Sequence, residues 1–391
     1  MNRRGLLAAT GVLSPGTRLQ PVSGTQRVPS IDVLRGAIMV LMAIDHVRVY
    51  SGVPAGGPMP GVFFTRWITH FCAPGFVFFA GTSAFLYARK HGGGVSRWLA
   101  VRGLFLVLLE LTVLRLSWTF NFDYQNYVMA GVLWAIGWSM VALAGLVLLP
   151  QRVVLAAGLA IVFLHNLLDA RAIGASLHGP ALALWQIFYG LGAIGPLKIL
   201  YTLVPWIGVT ALGWSFGAIL DRRRACLLIG AGAIVLFVVL RATSLYGDPR
   251  PWAAAGPPAM APLLRFLNTA KYPASLQFLL MTLGPLVALV PIVRRAPVLE
   301  TFGRVPLFFY LLHIPLIHAL ALIVSKLREG TVDPWLFGNH PLMPPDLPPG
   351  YTWELPLLYL VTAIAVALLY PLCAWYADVK ARSRNVVLGL V

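Results

Sequence analysis

Arg35 and His46 are the two residues whose types and spacing most directly suggest chemistry. They lie eleven positions apart in one apolar segment, and eleven helical steps of about 100° return to within roughly 20° of the starting direction. Both side chains would therefore share one helix face, about 16 Å apart along the axis. Ionisable groups inside a membrane span are costly, so they usually face a bundle interior or a wet cavity and mark a path for substrate or protons.

The two side chains suit different steps of a group transfer. An arginine guanidinium is always charged and forms two parallel hydrogen bonds to a phosphate, whereas an imidazole titrates near neutral pH and can take a proton from a hydroxyl or an amine. Each residue also has a structural alternative. Arg35 can pair with Asp32, three residues earlier, and anchor the helix at the membrane interface, and His46 can be a hydrogen-bonded packing residue between helices.

The composition places this segment in a membrane. Of the 391 residues, 59% are hydrophobic and 11% are charged, whereas about 25% of the residues of a soluble domain are charged. The mean hydropathy is +0.79, and apolar stretches long enough to cross a bilayer recur along the chain. The sequence therefore predicts an all-α integral membrane protein, a polytopic bundle of about ten transmembrane helices. The predicted spans cover residues 31–50, 68–88, 98–119, 128–149, 152–168, 200–220, 224–243, 272–293, 304–325 and 354–379.

The charge distribution predicts the orientation of these spans. The formal net charge is +17, but the basic residues form short clusters between apolar segments, a pattern that favours the positive-inside rule over nucleic-acid binding. With a cytoplasmic N-terminus, every strong cluster falls on the cytoplasmic side, so both termini are predicted to be cytoplasmic. The predicted division is a mobile tail at 1–29, a transmembrane domain at 30–385 and a C-terminal tail at 386–391.

One more apolar stretch, residues 181–197, is interrupted by glycines and by Pro196. Counting it as a span would put the arginines at 222–224 on the outer side, so the sequence predicts an additional interfacial or re-entrant helix there.

Other chemistries have no support in the sequence. It has no glycine-rich phosphate loop and no nucleophile elbow, and Cys72, Cys226 and Cys373 lack the spacing of a disulfide or metal site.

Four separated motifs carry a family resemblance. The first is Arg35, ten intervening residues and His46, the signature spacing of the acyltransferase-3 family. The others are residues 66–83 (RWITHFCAPGFVFFAGTS), 271–275 (KYPAS) and 302–315 (FGRVPLFFYLLHIP). Together they resemble the bacterial branch of the heparan-α-glucosaminide N-acetyltransferase catalytic-domain family, within the acyltransferase-3-like superfamily, over residues 27–385.

This resemblance implies transfer of an acyl group across a bacterial-type cytoplasmic (inner) membrane. The donor would be cytosolic acyl-CoA, in the first instance acetyl-CoA, and the acceptor a sugar or amino sugar on the far side. Membrane lipid is the other implied partner, homo-oligomerisation is left open, and neither a metal nor nucleic acid is expected.

His46 is the favoured general base, and several other candidates have alternative roles. Asp45 could orient His70 or His313, or bind an acceptor hydroxyl. His70 is expected at the depth of His46, but human-type members of the family carry their catalytic histidine in a local pattern that this chain does not match, so an interfacial role stays open. For His313, at mid-depth of a span, the alternative is an interhelical hydrogen bond. Arg304 is assigned with Arg35 to the donor; Arg66, Glu110, Lys271 and Tyr310 are assigned to the acceptor.

Functions of another class also fit these residues. A proton-coupled transporter or exporter of a glycan or small metabolite could use Arg35, His46, Glu110 and His313 as a proton relay. Counterflow without dependence on acyl-CoA would favour that reading. A non-catalytic membrane scaffold explains the polar residues in several spans less well.

Overall fold

The computed structural model describes residues 28–383 as a bundle of helices. The predicted tails, residues 1–29 and 386–391, lie outside these residues except for Val28 and Pro29. The first helix, α1, covers Pro29–Ser51. It begins with a proline at a position where the missing N–H costs nothing, and it ends at Gly52, whose φ of 72° is the left-handed conformation that glycine adopts easily.

Each of the other predicted spans contains at least one helix, and further short helices lie in the connections between the spans. The helices after α1 are α2 Pro60–Trp67, α3 Cys72–His91, α4 Val95–Leu109, α5 Arg115–Thr119, α6 Val132–Leu146, α7 Gln151–Leu164, α8 Ala170–Ser176, α9 Gly179–Trp185, α10 Val204–Phe216, α11 Arg223–Thr243, α12 Pro262–Leu267, α13 Leu276–Leu289, α14 Pro297–Arg304, α15 Pro306–Glu329 and α16 Leu355–Arg382. A π-helical turn, Glu110–Leu114, joins α4 to α5, and a 3-10 turn, Ile68–Phe71, joins α2 to α3.

Within residues 28–383, four helices are long and apolar enough to cross a membrane, or five if the bent pair formed by Gln151–Leu167 and Ala170–Ser176 is one span. The four are Pro60–His91, Arg223–Thr243, Pro306–Glu329 and Leu355–Arg382. The other apolar helices are shorter, such as the 13-residue α10, or carry more charge, such as α1. The protein is therefore a helical membrane protein, but a count of ten transmembrane helices is not confirmed.

The described residues are mostly helical, as the all-α prediction expects, with one small sheet in addition. Three short strands, β1 Val128–Ala130, β2 Gly192–Ile194 and β3 Leu197–Ile199, form a small sheet in which β3 pairs in parallel with β1 and antiparallel with β2. Residues 181–197 are consequently part helix and part hairpin. The helix α9 and its π-helical extension Gln186–Gly190 together reach about 18 Å, which is too short to cross a hydrocarbon core of about 30 Å.

Several basic residues lie at one end of the bundle, which we call the Arg35 end. There Arg35 donates to Ser83 of α3 at 3.2 Å, and Arg89 lies 3.9 Å from Asp221. At the opposite end, the His46 end, the loop between α15 and α16 covers α1. Trp353 N–H donates to the Ser51 carbonyl at 2.9 Å, and the Tyr351 hydroxyl donates to the Tyr50 carbonyl at 2.9 Å.

Glycines bring two helices into close contact where α3 crosses α10. A Cβ added at Gly213 would lie 2.0 Å from the Phe78 carbonyl oxygen, and one added at Gly81 would lie 2.1 Å from the Thr210 carbonyl oxygen. Small residues at such crossings allow membrane helices to pack backbone against backbone. This crossing fixes the position of α3, whose first residues line the cavity beside His46.

We expect Gly213→Ala to destabilise the protein by about 1–3 kcal/mol, because the methyl group would push α3 and α10 apart. The thermal unfolding midpoint in detergent measures this. The matched control is Gly232→Ala in α11, where nothing lies within 4 Å of the added Cβ and alanine is the better helix former. A midpoint for Gly213→Ala as high as that of the control would contradict the packing argument.

Candidate functional site

A pair of histidines from α1 and α15 forms the centre of the candidate site. Nδ1 of His46 lies 2.6 Å from Nε2 of His313, and the two rings stack with their centroids 4.8 Å apart. His313 is completely buried. The partner found for His46 is thus a residue 267 positions later in the chain.

The backbone of α15 determines which nitrogens carry protons. Nδ1 of His313 lies 2.8 Å from the Tyr310 carbonyl oxygen and 3.1 Å from that of Phe309. A carbonyl oxygen only accepts, so Nδ1 of His313 carries a proton and its Nε2, in the neutral ring, is an acceptor. His46 must then donate from Nδ1, which leaves a lone pair on Nε2 of His46. Among the described residues no hydrogen bond to that Nε2 is found.

His46 also lines a small cavity of about 30 Å³. This volume holds about one water molecule, so an acyl group and an acceptor can enter only if the surrounding side chains move. The lining residues come from α1, α3, the start of α6 and two loops: Met42, Asp45, His46, Thr69, Cys72, Ala73, Phe76, Val132, Tyr201 and Lys271.

Between the Arg35 end and this cavity, α1 is packed with apolar side chains. Met39 is 2% exposed and Met42 is 3% exposed, and Met42 forms part of the cavity wall. Methionine is unbranched and adapts its shape readily. Both side chains belong to the stretch of α1 between Arg35 and His46.

Asp45 binds two arginines instead of a histidine. Its Oδ1 accepts from Nε of Arg48 at 3.0 Å, and its Oδ2 accepts from Nη1 of Arg66 at 2.9 Å. The expectation that Asp45 orients His70 or His313 is therefore corrected: neighbouring residues on a helix point about 100° apart, and this direction brings Asp45 to α2. Arg66 also donates to Thr69 at 2.9 Å, so the predicted acceptor-binding arginine is held in an ion pair.

His70 lies near this charged group but is not in contact with His46. It is 8% exposed, packs edge-on against Phe278 at 5.4 Å, and its Nδ1 is buried without a hydrogen-bond partner. The structure therefore places His70 beside the cavity wall and does not join it to the histidine pair.

Lys271 lies in the cavity wall with its ammonium group between two tyrosine rings. Its Nζ is 5.3 Å from the ring centroid of Tyr272 and 6.0 Å from that of Tyr201. The residue is 8% exposed. Within residues 28–383, Nζ has no hydrogen bond and no carboxylate at ion-pair distance.

Glu110 has a different position from the one expected. It is 1% exposed, and its Oε2 accepts from the backbone N–H of Leu133 at 2.6 Å and of Trp134 at 3.3 Å. It thus caps the start of α6, where unpaired N–H groups favour a negative charge. Its Oε1 is buried without a hydrogen-bond partner, and its assignment to the acceptor stays a prediction. Tyr310 packs edge-on against His46, with ring centroids 6.4 Å apart.

At the Arg35 end, Arg35 makes an ion pair with Asp32 and a hydrogen bond to Ser83. Its side chain is 21% exposed and its Nε is buried without a partner. This ion pair is the contact that the anchoring alternative requires, although it leaves part of the guanidinium accessible. Arg304 lies 3.4 Å from Glu300 on α14, a helix that packs closely on α1 because Gly303 lies against the Asp32 backbone.

Sequence reasoning missed three residues of the site. Arg48 is three positions after Asp45 on the same helix, and this spacing is a known signal for an ion pair. Trp118, whose ring lies 4.7 Å from that of His46, and Tyr201 come from distant segments, and no local pattern marks them.

Among the described residues no group of three His, Cys, Asp or Glu side chains could hold a metal ion.

The candidate site is therefore a histidine pair beside a small cavity in a helical membrane bundle. Residues 27–245 match the family described as heparan-alpha-glucosaminide N-acetyltransferase, catalytic. The match covers more than half of the chain, so the protein belongs to this family and is a membrane acetyltransferase by class. No curated protein matches the chain. The matched region includes His46, Asp45 and Glu110; Lys271, Arg304, Tyr310 and His313 lie beyond it.

Proposed function

We propose that the protein transfers an acyl group, in the first instance acetyl, from cytosolic acyl-CoA to an amine or hydroxyl of an extracytoplasmic sugar. The observation that carries this proposal is the proton arrangement of the histidine pair. His313 accepts the Nδ1 proton of His46 at 2.6 Å and so leaves Nε2 of His46 as a base. A neutral imidazole with a fixed tautomer is the group that general-base catalysis needs.

The proposed reaction is a direct transfer in which the acceptor is the nucleophile. Nε2 of His46 takes the proton of the acceptor N–H or O–H while the acceptor attacks the thioester carbonyl carbon. His313 stabilises the resulting imidazolium through the same hydrogen bond. When the intermediate collapses, the C–S bond breaks, the sulfur keeps the electron pair, and Nε2 of His46 returns its proton to the sulfur. The products are the acylated sugar and CoA.

Arg35 is the proposed donor-binding residue, with Arg304 nearby at the same end of α1. The CoA phosphates need cationic groups, and Arg35, Arg89 and Arg304 lie at this end. The acceptor would approach from the His46 end, past Arg66 and Lys271. In a bacterial-type inner membrane, the positive-inside rule makes the Arg35 end cytoplasmic.

Acyl transfer can be tested directly with the full-length protein in detergent. Acetyl-CoA is supplied with a panel of sugars and amino sugars, released thiol is followed, and the products are analysed by mass spectrometry for a gain of one acetyl group. Envelope glycans from cells with and without the protein would then identify the natural acceptor. Release of thiol without an acetylated product would contradict the proposal.

The transporter alternative has less support from the contacts. Of the four residues assigned to a proton relay, His46 and His313 are joined, whereas Arg35 pairs with Asp32 and Glu110 caps α6. Counterflow of a labelled sugar through proteoliposomes without acyl-CoA would favour transport over transfer.

The orientation gives a separate prediction. We expect a cysteine at Ser176, an exposed position in α8, to react with a membrane-impermeant maleimide in intact cells, because residues 169–199 should be external. Gly93→Cys, at an exposed position of the Arg35 end, should react after permeabilisation only. The native cysteines are buried and give little background. The reverse labelling pattern would invert the proposed orientation.

A further inference from the structure

Lys271 has an unusual environment for a buried cation. It is more than nine-tenths buried, and the nearest carboxylate of the site, Asp45, already uses both oxygens for Arg48 and Arg66. A buried charge is expensive unless it is paired. The two tyrosine rings hold the ammonium by cation–π contacts and leave its N–H groups without acceptors among the described residues.

The backbone around Lys271 is fixed from several sides. The Ala270 N–H and the Ser275 hydroxyl donate to Oδ2 of Asp248 at 2.8 and 3.0 Å. His165 contacts the Ala274 carbonyl through Nε2 at 2.9 Å. Residues 271–274 thus form a turn held at both sides, and the two tyrosine rings flank the ammonium that this turn carries.

Lys271 and His46 line the same cavity. If the acceptor reacts at Nε2 of His46, the thioester carbonyl must lie next to the acceptor atom, at about 3–3.5 Å. Charge then develops on the carbonyl oxygen in a site that holds about one water molecule. A preorganised donor in such a water-poor site stabilises the transition state far more than it would in water.

We propose that Lys271 is a catalytic residue that donates a hydrogen bond to the carbonyl oxygen of the acyl thioester as this oxygen becomes an oxyanion. This role rests on the proposed function. When the acceptor forms its bond to the carbonyl carbon, the C=O π electrons move to oxygen, next to the ammonium. When the C–S bond breaks, the electrons return and the carbonyl is restored. Lys271 keeps its proton throughout and His46 carries the transferred one.

The test compares Lys271→Met and Lys271→Arg with the matched control Lys326→Met, which changes an exposed lysine near the end of α15. Removing one oxyanion donor should lower kcat by about 10²–10³-fold, with the KM values for donor and acceptor close to wild type. Lys271→Arg should retain part of the activity because it keeps a cationic donor. Lys326→Met should behave as wild type.

A second readout separates this role from acceptor binding. Hydrolysis of acetyl-CoA without any acceptor forms the same oxyanion, so it should fall in Lys271→Met by a factor similar to that for transfer. Unchanged hydrolysis with a raised acceptor KM would assign Lys271 to acceptor binding and overturn the proposal. A wild-type protein that neither transfers nor hydrolyses would overturn the proposed function itself, and this role with it. Lys271→Arg, which preserves the charge, shows whether a loss in Lys271→Met comes from misfolding.

Discussion

Replacing His46 with alanine is expected to lower the rate of acyl transfer by about 10²–10⁴-fold, the usual contribution of a general base. Donor binding should remain, because the base acts on the acceptor proton and not on CoA. His313→Ala should also slow the reaction, by a smaller factor. It removes Nε2 of His313, the hydrogen-bond acceptor that holds the proton of His46 on Nδ1. Turnover and acetyl-CoA affinity of the purified variants measure both effects.

His178→Ala is the matched control for the histidine pair, because His178 is exposed and precedes α9. Addition of imidazole should restore part of the activity of His46→Ala, since the substitution leaves space beside the existing cavity. Wild-type turnover in well-folded His46→Ala would show that His46 packs α1 against α15 and nothing more. The search for the base would then turn to His70, whose Nδ1 has no partner.

Replacing Arg35 with alanine is expected to weaken acyl-CoA binding by about 10- to 150-fold, the equivalent of losing a charge-assisted contact of roughly 1.5–3 kcal/mol. Arg35→Lys should weaken it less, since lysine keeps the charge and loses the paired hydrogen bonds of the guanidinium. Acceptor affinity should not change, because Arg35 lies about 16 Å from His46 along α1. Titration of acyl-CoA into the detergent-purified variants measures the affinity.

Asp32→Asn distinguishes donor binding from anchoring. Arg35 pairs with Asp32, so an anchor role predicts that both substitutions lower stability equally and that neither changes the dissociation constant for acyl-CoA. Donor binding predicts that Asp32→Asn frees the guanidinium and leaves that affinity equal or higher. Unchanged affinity in Arg35→Ala would move the search for the donor site to Arg89, Arg97, Arg102 and Arg304.

The helices could be predicted from the sequence because apolar runs and their flanking charges are local signals. The three-residue strands β1, β2 and β3 could not, since so few residues show no periodicity. The pairing of His46 with His313 also escapes prediction. Both residues were candidates, but only the packing of α1 against α15 decides that they meet. The contacts of Glu110 with the backbone of α6 escape prediction as well, because they join residues more than twenty positions apart.

The buried side chains of Met39 and Met42 have a consequence for the proton gradient across the membrane. Each proton that leaks inward across a membrane held at 100 mV dissipates about 2.3 kcal/mol, and a titratable histidine pair between two compartments is a risk for such leakage. Two buried thioether side chains below His46 offer no chain of donors and acceptors along which a proton could hop. If the protein carries out the proposed transfer from a cytosolic thioester to an external acceptor, it can thus rest in the membrane without conducting protons, provided that these side chains return to their positions after every turnover.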